Sequence, residues 1–398
     1  MLRWKFKNQE HRPIGLDIGH DSIKMLQLAI NGGQTSVLAA EKVRIDPYLE
    51  DGSAGRRKFI ISAIRQMLNK GTFKGRNVIS CLANDKVKIT SLRLAEGDSE
   101  SIERALKKEI EQRFGMDSHK DAINYVVAGN IRQGEEVKSE LIVFAADNEI
   151  IKEHISILEE AELKPTAIDT IPCALLRSFE RLRRRSEDRE NTVVFVDVGS
   201  RYTTVVFGRR GEISFAKQIP IGGEKFNHEV ASRLGISVIE ASMLREKLRT
   251  ERNVAVPQMA AGEHEDQNLW NSGIIEQGVL DGSTRQAMVD AVSSVAEELA
   301  REISQCFRYH TVTFRGKRVE RVIFTGGGAY ENILLVTLKQ HLTVEIEVAQ
   351  PLKGVDMVNT NFGNDRRDLL CEWTVAVGLS LKGWDCDGIS KDNGYERN

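Results

Sequence analysis

Ile14-Gly-Leu-Asp17-Ile-Gly19 and Phe195-Val-Asp197-Val-Gly199 repeat one pattern, an Asp-apolar-Gly triplet closing a short apolar run. The runs, Pro13 to Asp17 and Thr192 to Asp197, are bounded by turn residues and read as strands. After each triplet come a polar turn (His20-Asp21-Ser22; Ser200-Arg201-Tyr202) and a second strand (Ile23 to Ile30; Thr203 to Phe207). A glycine-centred turn, Asn31-Gly32-Gly33 or Arg209-Arg210-Gly211, then leads to a third strand, Ser36 to Val43 or Glu212 to Ile219. A helix follows each meander, Arg57 to Asn69 and Glu224 to Leu234, and a further strand closes each unit, Asn77 to Ala83 and Val319 to Thr325. An α/β fold is predicted, with a duplicated βββαβ unit and a cleft between two lobes.

A different unit interrupts the first half. Strand Val87 to Leu94, helix Ser99 to Phe114, the stretch Asp121 to Val127, strand Leu141 to Ala146 and helix Glu149 to Ala161 make an inserted α/β subdomain. The expected division is 10–85 with 165–190 and 366–384 in lobe I, 86–164 in the insert, and 191–365 in lobe II. Over 250–284 the periodicity gives way to Gly, Gln, Asn and Glu, which predicts a long mobile surface loop.

Three glycine-bearing loops point to chemistry. Glycine after Asp17 and Asp197 allows the backbone to approach a phosphate and turn its N–H groups inward. The two carboxylates, facing each other across the cleft, are suited to holding Mg²⁺ through its water shell. Thr325-Gly326-Gly327-Gly328-Ala329-Tyr330 follows the apolar Arg321 to Phe324 and opens a helix expected to run to about Gln340, so a sugar and α-phosphate can meet backbone donors there. It is not a Walker A loop, since no Gly-Lys-Ser/Thr follows. Any one of these loops is ordinarily just a turn; their order and the repeat around them favour a nucleotide cleft.

Composition bounds the rest. At 398 residues the chain exceeds one hydrophobic core, and 56 basic against 58 acidic residues give no reason to expect nucleic acid. Five cysteines without C-x-x-C spacing argue for a reducing compartment. Neither a membrane-spanning run nor a signal peptide is evident, so a cytoplasmic place is expected. Trp4 and Phe6 among cations read either as a short membrane contact or as a frayed terminus, and the Arg181 to Arg189 run as a solvated helix end. His11, His20, His228 and His264 lack ligand spacing, so no metal beyond magnesium is expected.

The three loops resemble the phosphate and adenosine motifs of the actin, Hsp70 and sugar-kinase superfamily, an actin-like or RNase H-like ATPase fold. Within it the chain is similar to the PilM family of type IV pilus assembly proteins, relatives of FtsA, over nearly its whole length. Arg93-Leu94, Ile102 to Leu106, Tyr125, Leu141 to Ala146, Leu163 to Asp169 before Pro172-Cys-Ala-Leu-Leu, and Val375 to Leu379 carry that likeness. It implies an FtsA-like 1C insert and ATP with Mg²⁺ in the cleft. The implied binding set is Asp17, Gly19, His20, Asp21, Ser22 and Lys24; Asp197, Gly199, Ser200, Arg201, Tyr202 and Thr203; Gly222, Gly223 and Arg245; and Gly326, Gly327 and Gly328. It further implies a cytoplasmic adaptor, peripheral at the inner membrane, that clasps the N-terminal cytoplasmic peptide of a PilN-like membrane protein between lobe I and the insert. Contacts with other pilus assembly proteins or self-association are compatible with the same role.

Two positions depart from the pattern. Relatives that hydrolyse ATP often carry a carboxylate or amide where Ile171 stands, so at most slow turnover is expected and no catalytic residue is assigned. In the helix opened by Ser237, with Glu240 completing a capping box, Ala241-Ser242-Met243-Leu244-Arg245 keeps the cation but loses a carboxylate at Ser242, which predicts weak nucleotide affinity. A sugar-type kinase would instead need a base among Asp85, Asp98 and Asp169, which read better as turn and helix-flanking residues. A filament-forming actin relative is the third reading.

Overall fold

Val-, Ile- and Phe-rich runs form strands here because branched and aromatic side chains fill a pleated surface covered on both faces. The computed structural model describes residues 10–31, 34–95, 99–117, 119–133, 136–180, 182, 191–250, 281–314, 319–357, 362 and 370–382. Trp4 and Phe6, Asp98, Cys386, the arginine-rich run apart from Leu182, and 251–280 of the expected loop lie outside them.

In the first sheet β1 (Glu10–Ile18), β2 (Ser22–Asn31) and β3 (Gln34–Arg44) form an antiparallel meander, to which β4 (Asn77–Cys81) and β8 (Lys164–Asp169) add in parallel. The second sheet repeats this arrangement with β9 (Thr192–Val198), β10 (Thr203–Arg209) and β11 (Glu212–Ile219) as the meander, extended by β12 (Val319–Thr325) and β13 (Glu345–Val348). The repeat read in the sequence is thus a repeat of strand order and direction. Between β4 and β8 lies a third sheet, in which β7 (Glu136–Ala146) pairs antiparallel with both β5 (Lys88–Ala95) and β6 (Ala122–Gln133).

Helix α1 (Ala54–Lys70), capped by Ser53, buries Ile60, Ile64 and Met67 against the first sheet. Helix α2 (Ser99–Phe114) covers the third sheet through Leu106 and Ile110. Helix α3 (Asn148–Glu160) follows that sheet but sends Leu158 into the core beneath the first. Helices α4 (Ile171–Glu180), α5 (Gly223–Leu234), α6 (Val238–Thr250), α7 (Gly282–Thr313) and α8 (Asn332–His341) all contribute to the core around the second sheet.

Helix α7 was not assigned from the sequence, although Met288, Ala291, Val292, Val295, Ala296, Leu299 and Ile303 recur at helical spacing and are buried. Its cap, Asp281, accepts from the Thr284 N–H at 2.9 Å, so residues 281–284, expected in the loop, instead start this helix. After β13 the chain returns to the first lobe: Leu352 and Val355 join Leu26, Leu28 and Val37 in one cluster. Helix α9 (Thr374–Ser380) then crosses α4, with Arg177 Nη1 donating to the Gly378 carbonyl at 2.8 Å.

Candidate functional site

Strands β1 and β9 are central in their sheets, and each ends in its Asp-apolar-Gly turn. The two turns close identically: the Gly19 N–H donates to the Ser22 carbonyl at 2.9 Å, and the Gly199 N–H to the Tyr202 carbonyl at 3.0 Å. In each turn the glycine's own N–H is thus spent on closing the turn. Helix α5 is likewise committed at its start, where the Gly223 and Glu224 N–H groups donate to the carbonyls of Gly199 (2.9 Å) and Ser200 (2.7 Å). A Cβ at Gly222 would lie 2.6 Å from the Ser200 oxygen, so glycine is needed for this seam.

The triple-glycine turn follows β12, whose Thr325 pairs with Asp197. Gly326 has φ +80°, and a Cβ there would stand 2.5 Å from Asp197 Oδ1; Gly328 packs equally tightly on Val198. Gly327 is exposed with open space around its Cβ position, so a ligand can approach the turn at this residue. The expected single helix is in fact a short 3₁₀ turn, Gly327–Tyr330, followed by α8 from Asn332, so the longer helix does not point its N-terminus from the glycines.

Charge is crowded where the turns meet. Lys24, opposite Asp17 on β2, reaches Asp17 Oδ2 at 3.3 Å. Burial pulls Lys24 down, but Asp17, Asp21 and Glu372 overcome it and hold the ammonium well above its ordinary range. Asp197 is half-buried. Burial, and next the charge of Asp17, push its carboxyl from 3.8 up to about 7. Cys81, at the end of β4, feels Asp17, Asp169 and Asp197, and burial first of all raises its thiol well above its ordinary value.

Because the folded protein binds the Asp197 proton more tightly than the unfolded chain, stability falls as pH rises from about 4 to about 7 and then levels off. Asp197→Asn is therefore expected to raise Tm at pH 8 and to change it little at pH 4.5, as thermal denaturation at the two pH values will register.

The other expected residues fall into two groups. His20, Asp21, Ser200, Arg201 and Tyr202 line the turns with exposed or half-buried side chains. Ser22 and Thr203 are buried, and Thr203 donates its hydroxyl to the Ile221 carbonyl at 2.6 Å. Ser237 and Glu240 form the capping box, with the Ser237 N–H donating to Glu240 Oε2 at 2.8 Å and the Glu240 N–H to Ser237 Oγ at 3.2 Å.

Arg245 is buried and donates to the Gly223 carbonyl at 2.8 Å while pairing with Glu331, which also receives Arg249 at 3.0 Å. Burial pushes Glu331 up, yet the two guanidiniums prevail and lower its carboxyl to about 2. Arg245 is thus held by a carboxylate from beyond the triple glycine. Only the tertiary structure reveals Glu331, and no motif in the sequence marks it.

Residues 15–256 and 284–384 match the family described as type IV pilus assembly protein PilM. The chain belongs to this family. A solved structure described as the PilM-PilN type IV pilus biogenesis complex superposes with a TM-score of 0.71 at 18% identity, covering 94% of this chain and 98% of that one. The ethanolamine utilization protein EutJ from Carboxydothermus hydrogenoformans superposes at 0.52 and 12% identity, with 94% and 90% covered. The fold is therefore the actin-like ATPase fold.

Against this background Ile171 is half-buried at the start of α4, and Asp169 is held by Arg177 at 2.9 Å and Lys382 at 3.3 Å, which suits a structural role better than that of a base. Asp85 pairs with its neighbour Lys86 at 3.5 Å. Among the described residues no helix is long and apolar enough to cross a membrane, and no group of three or more His, Cys, Asp or Glu could hold a metal.

Proposed function

We propose that this PilM-family chain is an ATP-binding adaptor of the type IV pilus inner-membrane complex. The observation that carries the nucleotide reading is the meeting of Asp17, Asp197 and the triple-glycine turn, where Asp197 is driven to about 7 in part by its like-charged neighbour. A divalent cation relieves that crowding, and a pair of carboxylates is a donor set for Mg²⁺ shared with phosphates and water rather than for a protein-only cage. Asp17 and Asp197 would hold the ion through water, with Lys24 balancing Asp17 and Gly327 leaving room for the nucleotide's sugar end. Bound ATP·Mg²⁺ would supply a polyphosphate bridging the two lobes. The chain's own groups orient it, and none is assigned to activate water.

The partner is a PilN-like membrane protein, clasped through its N-terminal cytoplasmic peptide between lobe I and the insert and bringing the adaptor to the inner membrane. Family membership supports this, and so does the likeness to the PilM-PilN complex. Titration with ATP in the presence of Mg²⁺ or of EDTA, together with capture by a synthetic peptide of that kind, tests both halves. Saturable binding of each is expected, with nucleotide affinity reduced in EDTA. Failure of the peptide to bind at roughly tens of micromolar removes the partner, and failure of ATP removes the cleft.

A further inference from the structure

Asp51 lies in the loop between β3 and α1, outside both acidic turns, yet its carboxylate connects them. It pairs with Arg56 Nε at 3.0 Å and, from the other lobe, with Arg201, while His20 Nε2 stands 3.3 Å away. His20 follows Gly19 directly and Arg201 stands two residues after Gly199, so one carboxylate reaches from the first turn to the second. Arg201 is also paired with Glu224 at 2.8 Å and is therefore held by two carboxylates of the protein itself. Arg44, at the end of β3, and Glu246 of α6 form a further interlobe pair at 2.8 Å. Neither acidic turn needs Asp51, since each closes on its own glycine N–H.

The triple-glycine turn abuts Asp197 and Val198, whereas Arg201 stands on the far side of Gly199, within the second acidic turn. With the sugar end at Gly327, as the nucleotide reading has it, the terminal phosphate is the group farthest from the glycines and so the one set against Arg201. A phosphate offers more charge and more acceptors than a carboxylate, so it competes well for a guanidinium.

We propose that Asp51 is a built-in stand-in for the terminal phosphate: it engages Arg201 when no nucleotide is bound, and a triphosphate, but not a diphosphate, takes Arg201 from it. Arg201 then discriminates ATP from ADP, and Asp51 sets how strongly ATP is held. This rests on the nucleotide reading above.

Fluorescent ATP and ADP analogues, titrated with Mg²⁺ into wild type, Asp51→Asn, Arg201→Gln, Arg201→Lys and the double variant D51N/R201Q, test it, with Tm confirming that each is folded. Wild type is expected to prefer ATP. Arg201→Gln is expected to weaken ATP by about tenfold, the scale of a charge-assisted hydrogen bond, and to leave ADP unchanged. Asp51→Asn is expected to tighten ATP by about two- to fivefold, as fits a half-exposed charge pair, but not in the Arg201→Gln background. Arg201→Lys, retaining charge without the fork, should fall between.

Weaker ATP binding by Asp51→Asn, or equal losses of ATP and ADP in Arg201→Gln, overturns the proposal while leaving the cleft intact. Wild type that binds neither nucleotide overturns the cleft reading and this inference together.

Discussion

Gly378→Ala is expected to lower folding stability by about 3 kcal/mol, the upper part of the range for overpacking a filled core. Helices α4 and α9 cross backbone to backbone, and a Cβ on Gly378 would overlap the carbonyl oxygen of Ala174. That carbonyl cannot swing away, because Ser178 Oγ donates to it at 2.9 Å and also reaches the Thr374 carbonyl, binding the two helices together. On its other side α9 is pressed against β1, where a Cβ on Gly15 would overlap the Ala376 oxygen. The crossing therefore has no slack in either direction. Thermal denaturation should show a Tm lower by roughly 4–8 °C. Gly282→Ala, where a Cβ meets nothing within 4 Å, is the matched control. Equal Tm values for the two variants would show that the two helices separate freely.

Asp17→Asn and Asp197→Asn should each weaken ATP·Mg²⁺ by about 10- to 100-fold, the range expected when a hydrogen bond to a charged group is removed from a buried site. Their effects on stability should be opposite, which separates binding from folding. Loss of the Asp17 charge leaves the buried Lys24 ammonium without its nearest partner and is destabilising. Loss of the Asp197 charge relieves crowding and is stabilising above pH 7, because burial and Asp17 hold its carboxyl at about 7. A more stable protein with poorer ATP·Mg²⁺ binding is thus the signature sought in Asp197→Asn, read by calorimetric titration beside thermal denaturation. Unchanged affinity in both variants would mean that the nucleotide, if bound, sits elsewhere.

The meanders were legible because their signal is local. Strand period, glycine turn and apolar run lie within a few residues of each other, and β11 and β12 begin and end where the pattern says. Ser237 and Glu240 were legible for the same reason, as a capping box spans one helical turn. Helix α7 went unassigned next to a segment without periodicity, although its own stripe is regular. The glycine turns fall where the spacing puts them. Spacing reveals that a side chain is excluded at Gly19 and Gly326, whereas the excluding neighbour, Ser22 in one case and Asp197 in the other, appears only in three dimensions.

Sequence by itself determined that two copies of an α/β unit bring two aspartates and a triple glycine to matching strand ends, and which family the chain resembles. Tertiary structure alone decided how charge is balanced there: Glu331 pairing with Arg245 and Arg249, and Asp51 joining Arg56 to Arg201 across the lobes. Local pattern is written in neighbouring residues. An ion pair between Asp51 and Arg201 depends on where two lobes come to rest, and no periodicity in either segment encodes its partner.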